Sequence, residues 1–566
     1  MTMRHDAGTE DWPMRPWLMA AVCALAGLGF HLLTDHRPYS GDVSALRLAA
    51  ATLVAVAAIA FVITVEQRRW RWSLGFALGW GAVIALVGWF TASYNRFPTI
   101  FEFPFLSGLF AVLLAAPLFQ TVRDEGAWRF PYARLHGHAW TDAVIGAAAL
   151  AFVGITFLLA WLIAGLFDLI GIDVVKELLK EEWFGWMLAG FAFGAAVGLL
   201  RERDALVGTL QRLVMVVLGV LAPVLAAALT LFLLSLPFTG LGKLWASSIP
   251  ATPMMLLAGA GAILLANAVI GNGADDRATN RVLRASALAL TLCVLPLAII
   301  AAVSLGQRIG QYGWTPERMW GVVAVVVALV YGMVGWWAVA KGRADFDDLL
   351  RPLQTKLALG MCGLALLLAL PILDFGAISA NSQMARFASG KVDAKEFDWQ
   401  AMAFDFGPAG RRRLEQITRS GSPDQQRLAR AALATKDRFQ VAEQVRKADS
   451  AITLGTRLRI VPEGTALPAG LRDSIAATRY CRVGPCVVTV IDDQRAVIAG
   501  ALIKDDNVES ALLMRNAKGV WEQDIHNQYV AKPPFRPDVS SVAVELRTVE
   551  RRQLYIDGKP VGEAYE

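Results

Sequence analysis

The chain has 566 residues, of which 55% are hydrophobic and only 18% are charged, and its formal net charge is +6. A soluble chain carries about 25% charged residues, so this composition excludes a single soluble enzyme domain as well as a disordered or fibrous protein. The long apolar runs lie in residues 1–377, whereas residues 378–566 have the mixed composition of a soluble region. We therefore expect a membrane-spanning protein with a soluble tail.

Eleven apolar stretches follow one another in the first part of the chain. A helix needs about 20 apolar residues to cross a hydrocarbon core of about 30 Å, and a buried soluble helix explains one such run but not eleven. The stretches are residues 17–33, 45–65, 73–92, 104–122, 142–167, 184–200, 213–236, 252–270, 285–305, 319–340 and 356–376. The sequence predicts an α-helical polytopic bundle of about 11 transmembrane helices over residues 17–377. The first stretch is too long for a signal peptide, and no cleavage motif follows it.

Basic residues alternate between the loops and predict an orientation. If residues 1–16 are cytoplasmic, the inner side carries 18 lysine and arginine residues and the outer side carries 7. Each inner loop then has at least three and each outer loop at most two, as the positive-inside rule requires. An odd number of crossings places the tail outside the cytoplasm, so we expect a bacterial inner-membrane protein with a periplasmic C-terminus.

The tail changes character along its length and is expected to form a small α+β domain. Residues 378–454 favour helices, and residues 422–433 begin with helix-capping residues. Residues 455–566 have strand composition at 487–491, 496–503 and 542–546, and at 552–559, which contains an Asp-Gly hairpin turn. The charges of the tail are nearly balanced, so it has no nucleic-acid footprint.

Two cysteines in the tail test the expected compartment. Cys23, Cys293 and Cys362 lie in apolar helices, whereas Cys481 and Cys486 flank a short segment that contains a Gly-Pro pair. Such a turn brings two thiols within disulfide reach, and disulfides persist in oxidising compartments. Free thiols and a metal site are the alternatives, although a single Cys-x4-Cys pair is a weak zinc pattern.

Other features of the bundle suggest helix packing and surface structure. Gly190, Gly194 and Gly198 lie on one helix face, which favours close helix approach, either within the chain or in a dimer. Residues 172–184 have apolar residues at helical spacing, so they form either an amphipathic helix on the outer membrane surface or an extension of a spanning helix. Proline at positions 117, 223, 296 and 371 can kink helices.

Chemistry-bearing motifs are sparse. The sequence contains no P-loop, no nucleophile elbow, no zinc-protease motif and no dinucleotide fingerprint. His136 and His138 have no evident third ligand, and the acidic residues 345–348 are flanked by basic ones, which favours a salt-bridged helix over a magnesium site. We expect no catalytic, cofactor-binding or metal-binding residues.

Two motifs resemble a known family. One is Tyr312-Gly-Trp-Thr-Pro-Glu-Arg318, which opens a membrane helix; the other is the stretch 378–393 with the Phe-Asp and Phe-Asp-Phe-Gly pairs at 397–398 and 404–407. With the hydropathy layout, they resemble a bacterial family of multi-pass membrane proteins catalogued as domain of unknown function 4153, over roughly residues 15–420. The resemblance implies location and architecture, and it supplies no catalytic residues.

Three functional hypotheses remain open. The first is a non-enzymatic inner-membrane protein whose outward tail senses the envelope or binds a protein or lipid partner there. The second is a transporter or lipid translocator, which requires a cavity within the bundle. The third is a membrane-embedded transferase, for which Glu317, Arg318 and Asp398 are the speculative outer-loop site.

Overall fold

The structure is a computed structural model, and it describes residues 12–35, 44–92, 98–240, 242, 245, 250–273, 277–394, 396–435, 437–481, 484–501, 508–517, 519–523, 542–545, 552–556 and 559–565. The chain divides into two compact units. Met1–Ala388 with Phe404–Gly410 forms the first, and Ser389–Ala403 with Arg411–Glu566 forms the second.

Eleven helices in the described part of the first unit are long and apolar enough to span a membrane, which confirms the predicted bundle. They are α1 (Arg15–Thr34), α2 (Ala45–Thr64), α3 (Trp70–Ala92), α4 (Pro98–Glu125), α5 (Tyr132–Asp168), α7 (Glu182–Arg201), α8 (Asp204–Thr239), α9 (Ala251–Ile270), α10 (Arg281–Tyr312), α11 (Pro316–Gly342) and α12 (Phe346–Ala369). A further helix, α13 (Phe375–Ala388), completes the unit.

Several of these helices extend beyond the apolar stretch that predicts them. Helix α5 begins ten residues before the predicted start at 142, and α10 continues to Tyr312 rather than 305. Apolar composition reports only the part that crosses the hydrocarbon, whereas backbone hydrogen bonding continues into polar sequence. Helix α12 ends earlier than expected, at Ala369, because Leu370 is extended before Pro371. Pro371 therefore terminates this helix and does not kink it.

Side-chain caps fix several helix starts. The Thr315 hydroxyl accepts a hydrogen bond from the Arg318 amide, and Pro316 occupies the first turn of α11, as the sequence predicts. Asn280 caps α10 in the same way, and Ser44 caps α2. Each cap satisfies a backbone donor that has no partner within its helix.

Residues 172–184 contain a separate short helix, α6 (Val174–Lys180). Gly171 has a φ of +80°, and Glu181 is extended, so α6 is distinct from both α5 and α7. None of its residues is buried. The extension of a spanning helix is therefore not what the structure shows.

The core of the second half of the bundle is centred on α10. Of the eleven spans, α10 is the most buried: 56% of the residues in its apolar segment are buried, compared with 17% in α5. The buried face of α10 includes Leu290, Val294, Leu297 and Ala301, which pack with residues of α8, α9, α11 and α12. Small and aliphatic residues dominate this cluster, as close helix packing requires.

The tail contains helices followed by a small sheet. The helices are α14 (Gly407–Ser420), α15 (Pro423–Ala434), α16 (Arg438–Arg457) and α17 (Leu471–Ala477). The strands are β1 (Leu458–Val461), β2 (Cys486–Val490), β3 (Arg495–Ala501), β4 (Val508–Arg515), β5 (Trp521–Gln523), β6 (Arg552–Ile556) and β7 (Lys559–Tyr565). Ser422 and Gln425 form a capping box at the start of α15, in agreement with the sequence pattern.

Strands β1 to β5 form one sheet in chain order. The β1–β2 pair is parallel and the later pairs are antiparallel. A parallel pair needs a crossover connection, and this one contains α17. Strands β6 and β7 pair antiparallel, as expected, and their turn at 557–558 lies outside the described residues. The strand predicted at 542–546 is wrong for residues 542–545, which are not in a strand.

Candidate functional site

The two motifs of the family resemblance contact each other at the end of α10. Gln383 of α13 donates a 2.9 Å hydrogen bond to the carbonyl of Tyr312, the last residue of α10, and a 3.0 Å hydrogen bond to the carbonyl of Trp314 in the loop after α10. Arg386 donates two more, of 3.4 and 2.5 Å, and Arg318 donates one of 2.6 Å. The accepting carbonyls belong to Gly310, Gln311, Tyr312, Gly313 and Trp314. These side chains satisfy carbonyls that a helix end leaves without partners, and their cations complement the helix dipole.

Close packing holds this junction together. Gly313 has a φ of +77°, and a Cβ there would lie 2.7 Å from Cδ of Arg386, so glycine is required. Trp320 of α11 stacks on Phe103 of α4 and makes an edge contact with Phe375 of α13, with ring centroids 5.5 and 5.4 Å apart. Helix α13 is therefore fixed to the C-terminal end of α10 and to the start of α11, and Trp320 connects the start of α11 to α4.

The three residues of the speculative outer-loop site belong to two compact units. Glu317 is exposed in the first turn of α11, and Arg318 caps the preceding loop. Asp398 belongs to the second compact unit, where its carboxylate accepts a 2.8 Å hydrogen bond from the Ala401 amide. Arg318 and Asp398 therefore each have a backbone-capping role.

A cluster of buried arginines lies at the opposite ends of the helices. Arg201, Arg15 and Arg123 approach the same oxygen of Glu66, at 2.8, 3.3 and 3.9 Å respectively. The side chain of Arg123 is only 4% exposed. We call these four residues the Glu66 cluster. It joins the start of α1, the loop after α2 and the ends of α4 and α7.

The Glu66 cluster also caps the end of α2. Arg15 donates a 3.0 Å hydrogen bond to the Val65 carbonyl, and Arg123 donates to the Thr64 carbonyl. Gln120 donates to the Ile63 carbonyl at 3.1 Å and to Asp142 at the same distance. Burying a charge is costly unless it is paired and hydrogen-bonded. Here the Glu66 carboxylate supplies the counter-charge, and the carbonyls at the end of α2 supply hydrogen-bond acceptors.

A second charged cluster lies at the start of α12. The carboxylate of Asp347, whose side chain is 3% exposed, pairs with Arg351 at 2.7 Å and with Arg277 at 3.1 Å. Arg351 also donates to the Ile270 carbonyl at the end of α9. The hydrogen bond that Arg277 donates to Asp345, together with the charge of Asp347, raises the pKa of the Arg277 guanidinium. The salt-bridged helix expected from the sequence is therefore confirmed for these acidic residues.

Both histidines of the His-x-His pair lie in α5, and each contacts a polar side chain from another part of the chain. The Trp140 indole donates to Nε2 of His136 at 3.1 Å, which leaves the proton on Nδ1 to be donated to the Asn272 side chain. Nε2 of His138 lies 3.1 Å from an Asp124 oxygen. Across the described part of the chain, no group of three or more histidine, cysteine, aspartate or glutamate residues is arranged to hold a metal ion.

A small cavity lies among α9, α10, α11 and α12. Its volume is about 20 Å³, and its polar lining includes Asn267, Thr291, Tyr331 and Gln354. Gln354 donates a 2.6 Å hydrogen bond to Asn267. A volume of this size holds about one water molecule, so this cavity does not provide a path for a lipid or solute.

The glycine seam of α7 packs against α1 of the same chain. A Cβ built on Gly190 would lie 2.1 Å from the Cys23 carbonyl oxygen, and one on Gly194 would lie 2.2 Å from that of Met19. Gly198 similarly faces Pro16. The seam therefore brings two helix backbones into direct contact within the chain.

The cysteines of the tail lie at the bonding distance of a disulfide. The sulfur atoms of Cys481 and Cys486 are 1.92 Å apart, and both residues are buried in the core of the sheet domain. The same core contains Tyr480 and Trp521, and the Tyr480 carbonyl lies against Gly500 of β3.

The sequence indicated that basic residues concentrate in alternate loops but did not indicate their packing. Arg15, Arg123 and Arg201 count toward the alternating pattern, and Glu66 is the one acidic residue in the loop between α2 and α3. That single carboxylate among arginines is the pattern from which an ion-pair centre could have been inferred.

A family model described as "Domain of unknown function (DUF4153)" matches residues 48–404. This is well over half of the chain. The chain belongs to the DUF4153 family. The match is narrower than the 15–420 expected from the motifs, and it ends before the five-stranded sheet. No curated protein and no solved structure matches the chain.

Proposed function

We propose that this DUF4153 member is a non-enzymatic protein of the bacterial inner membrane whose C-terminal domain lies in the periplasm and binds a protein or lipid of the envelope. The observation that carries the proposal is the buried Cys481–Cys486 pair at disulfide distance in a folded sheet domain. Structural disulfides persist in oxidising compartments and are rare in the cytosol. The basic residues of alternate loops and the odd number of spans support the same side for the tail.

The arrangement of charged residues supports a binding role over a catalytic one. The buried arginines described above are bonded to carboxylates or to helix-terminal carbonyls, which accounts for them as structural groups. The sheet domain lies outside the residues that match the family. A membrane bundle followed by a separately folded domain suits sensing or partner binding.

The location is tested with reporter fusions. Alkaline phosphatase fused after Glu566 is expected to be active and green fluorescent protein fused there to be dark, because the former matures outside the cytoplasm and the latter inside. Fusions after Gly342, at the end of α11, should give the reverse result and serve as the matched control. With the three helix cysteines changed to serine, Cys481 and Cys486 should react with a thiol reagent only after reduction. A fluorescent protein that matures at the C-terminus would contradict the proposed location.

The binding role is tested by truncation. A chain without residues 455–566 is expected to insert into the membrane but to lose the ability of the full-length chain to complement a deletion strain. Membrane fractionation of the truncated protein controls for its accumulation. Full complementation by the truncated chain would mean that the bundle, and not the tail, carries the function.

A further inference from the structure

The arginines at the N-terminal end of the bundle fall into two groups. Arg15, Arg123 and Arg201 are largely buried in the Glu66 cluster. Residues 68–72, which read Arg-Arg-Trp-Arg-Trp, are exposed instead, and they comprise the last two residues of the loop before α3 and the first three residues of α3. We call these five residues the arginine–tryptophan patch. Packing and capping explain the first group, but they do not explain Arg69 and Arg71.

Two cations of the patch, Arg69 and Arg71, lie beside exposed aromatic rings. Trp70 is 45% exposed and Trp72 is 64% exposed. The Arg71 guanidinium lies 5.6 Å from the centre of the Trp70 ring. Neither Arg69 nor Arg71 has a carboxylate within ion-pair distance among the residues that the structure describes. The loop after α4, at the same end, repeats the combination, because Trp128 is 86% exposed beside exposed Arg129.

This combination matches the chemistry of a phospholipid headgroup region. Tryptophan prefers the membrane–water interface, where its ring meets apolar chains and its N–H meets polar groups. A guanidinium binds phosphate oxygens through paired hydrogen bonds. Basic residues beside an anionic membrane surface contribute about 1 kcal/mol each. The patch lies where a spanning helix begins, so both of its components reach the headgroup layer.

We propose that the arginine–tryptophan patch binds the phosphate of an anionic phospholipid headgroup in the leaflet on the N-terminal side of the bundle. Arg69 and Arg71 contact the phosphate, and Trp70 and Trp72 hold the adjoining glycerol and upper acyl chains. Only the naming of that leaflet as cytoplasmic rests on the proposed function.

The proposal is tested on the purified full-length chain in a neutral detergent by native mass spectrometry. Phosphatidylglycerol is titrated against phosphatidylcholine, and the wild type is expected to bind the former more tightly. The Arg69→Gln/Arg71→Gln variant should bind phosphatidylglycerol about 25-fold more weakly, since about 1 kcal/mol per charge corresponds to about fivefold. Arg134→Gln is the matched control, because Arg134 is exposed at the same end but lies 3.0 Å from Glu125. It should retain wild-type affinity.

Three outcomes would overturn the proposal. The first is equal binding of the two lipids by the wild type, and the second is unchanged phosphatidylglycerol affinity in the double variant. The third is displacement of the lipid by millimolar inorganic phosphate, which would identify a general anion site. Melting curves in phosphatidylcholine check that the variants are folded. Micelles have no sides, so this result is independent of the reporter fusions that test the orientation.

Discussion

Replacing Gly194 by alanine is expected to destabilise the bundle by about 3 kcal/mol, at the upper end of the range for overpacked cores. The added Cβ would lie 2.2 Å from the Met19 carbonyl oxygen and 2.6 Å from its carbon. Both atoms belong to the backbone of α1, so no side-chain rotation relieves the clash and the two helices must separate. Gly27 of α1 makes the reciprocal approach to the Trp186 carbonyl of α7.

Gly154→Ala on α5 is the matched control for this prediction. A Cβ at Gly154 meets no atom within 4 Å, and alanine in a helix is more favourable than glycine by about 0.5–1 kcal/mol. Thermal unfolding followed by size-exclusion chromatography in detergent measures both variants. Gly194→Ala should melt earlier and elute as a broadened peak, whereas Gly154→Ala should match or exceed the wild type. Equal stability of the two variants would show that α1 and α7 are not in backbone contact.

The glycine seam shows which aspects of helix packing in a membrane bundle can be predicted from the sequence. The spacing of Gly190, Gly194 and Gly198 indicates a face for close approach. It does not name the partner, because any neighbouring helix satisfies the same pattern. The identification of α1 as the partner needs the three-dimensional arrangement, in which α1 packs against α7.

Spans and their order were predictable because the bilayer imposes one strong requirement, that each crossing segment be apolar over its whole length. Helix ends were less predictable, because local features decide them. Pro371 ends α12 seven residues before the apolar stretch does. At the other extreme, α5 begins in polar sequence at Tyr132, where hydropathy gives no indication of a helix.

The charged clusters were the least predictable features, since they depend on which helix ends meet. Arg386 of α13 and Arg318 of α11 both serve the carboxyl end of α10. On the other side, Arg351 serves the end of α9 and Arg15 the end of α2. In each case a basic side chain from another helix satisfies carbonyls at a negative dipole end. These arginines therefore have a packing role, because each joins one helix to the end of another.

The same principle makes Asp347 a critical residue, and Asp347→Asn is expected to cost about 3–5 kcal/mol. The substitution leaves the Arg351 side chain, which is 8% exposed, without its buried counter-charge. Arg277 loses its 3.1 Å partner at the same time. Arg351 then keeps only the carboxylate of Asp348, whose side chain is 58% exposed, so the guanidinium retains the cost of desolvation and loses the buried part of the compensating attraction. Thermal unfolding of the purified protein measures the loss.

Asp348→Asn provides the control, because the neighbouring carboxylate pairs with the same arginine at the same distance of 2.7 Å. The Asp348 side chain is 58% exposed, and exposed ion pairs contribute only about 0.2–1 kcal/mol because water and salt screen them. The two variants remove one formal charge each from adjacent positions, so they differ mainly in burial. If both lowered the melting temperature equally, the cluster would owe its stability to net charge and not to the buried pair.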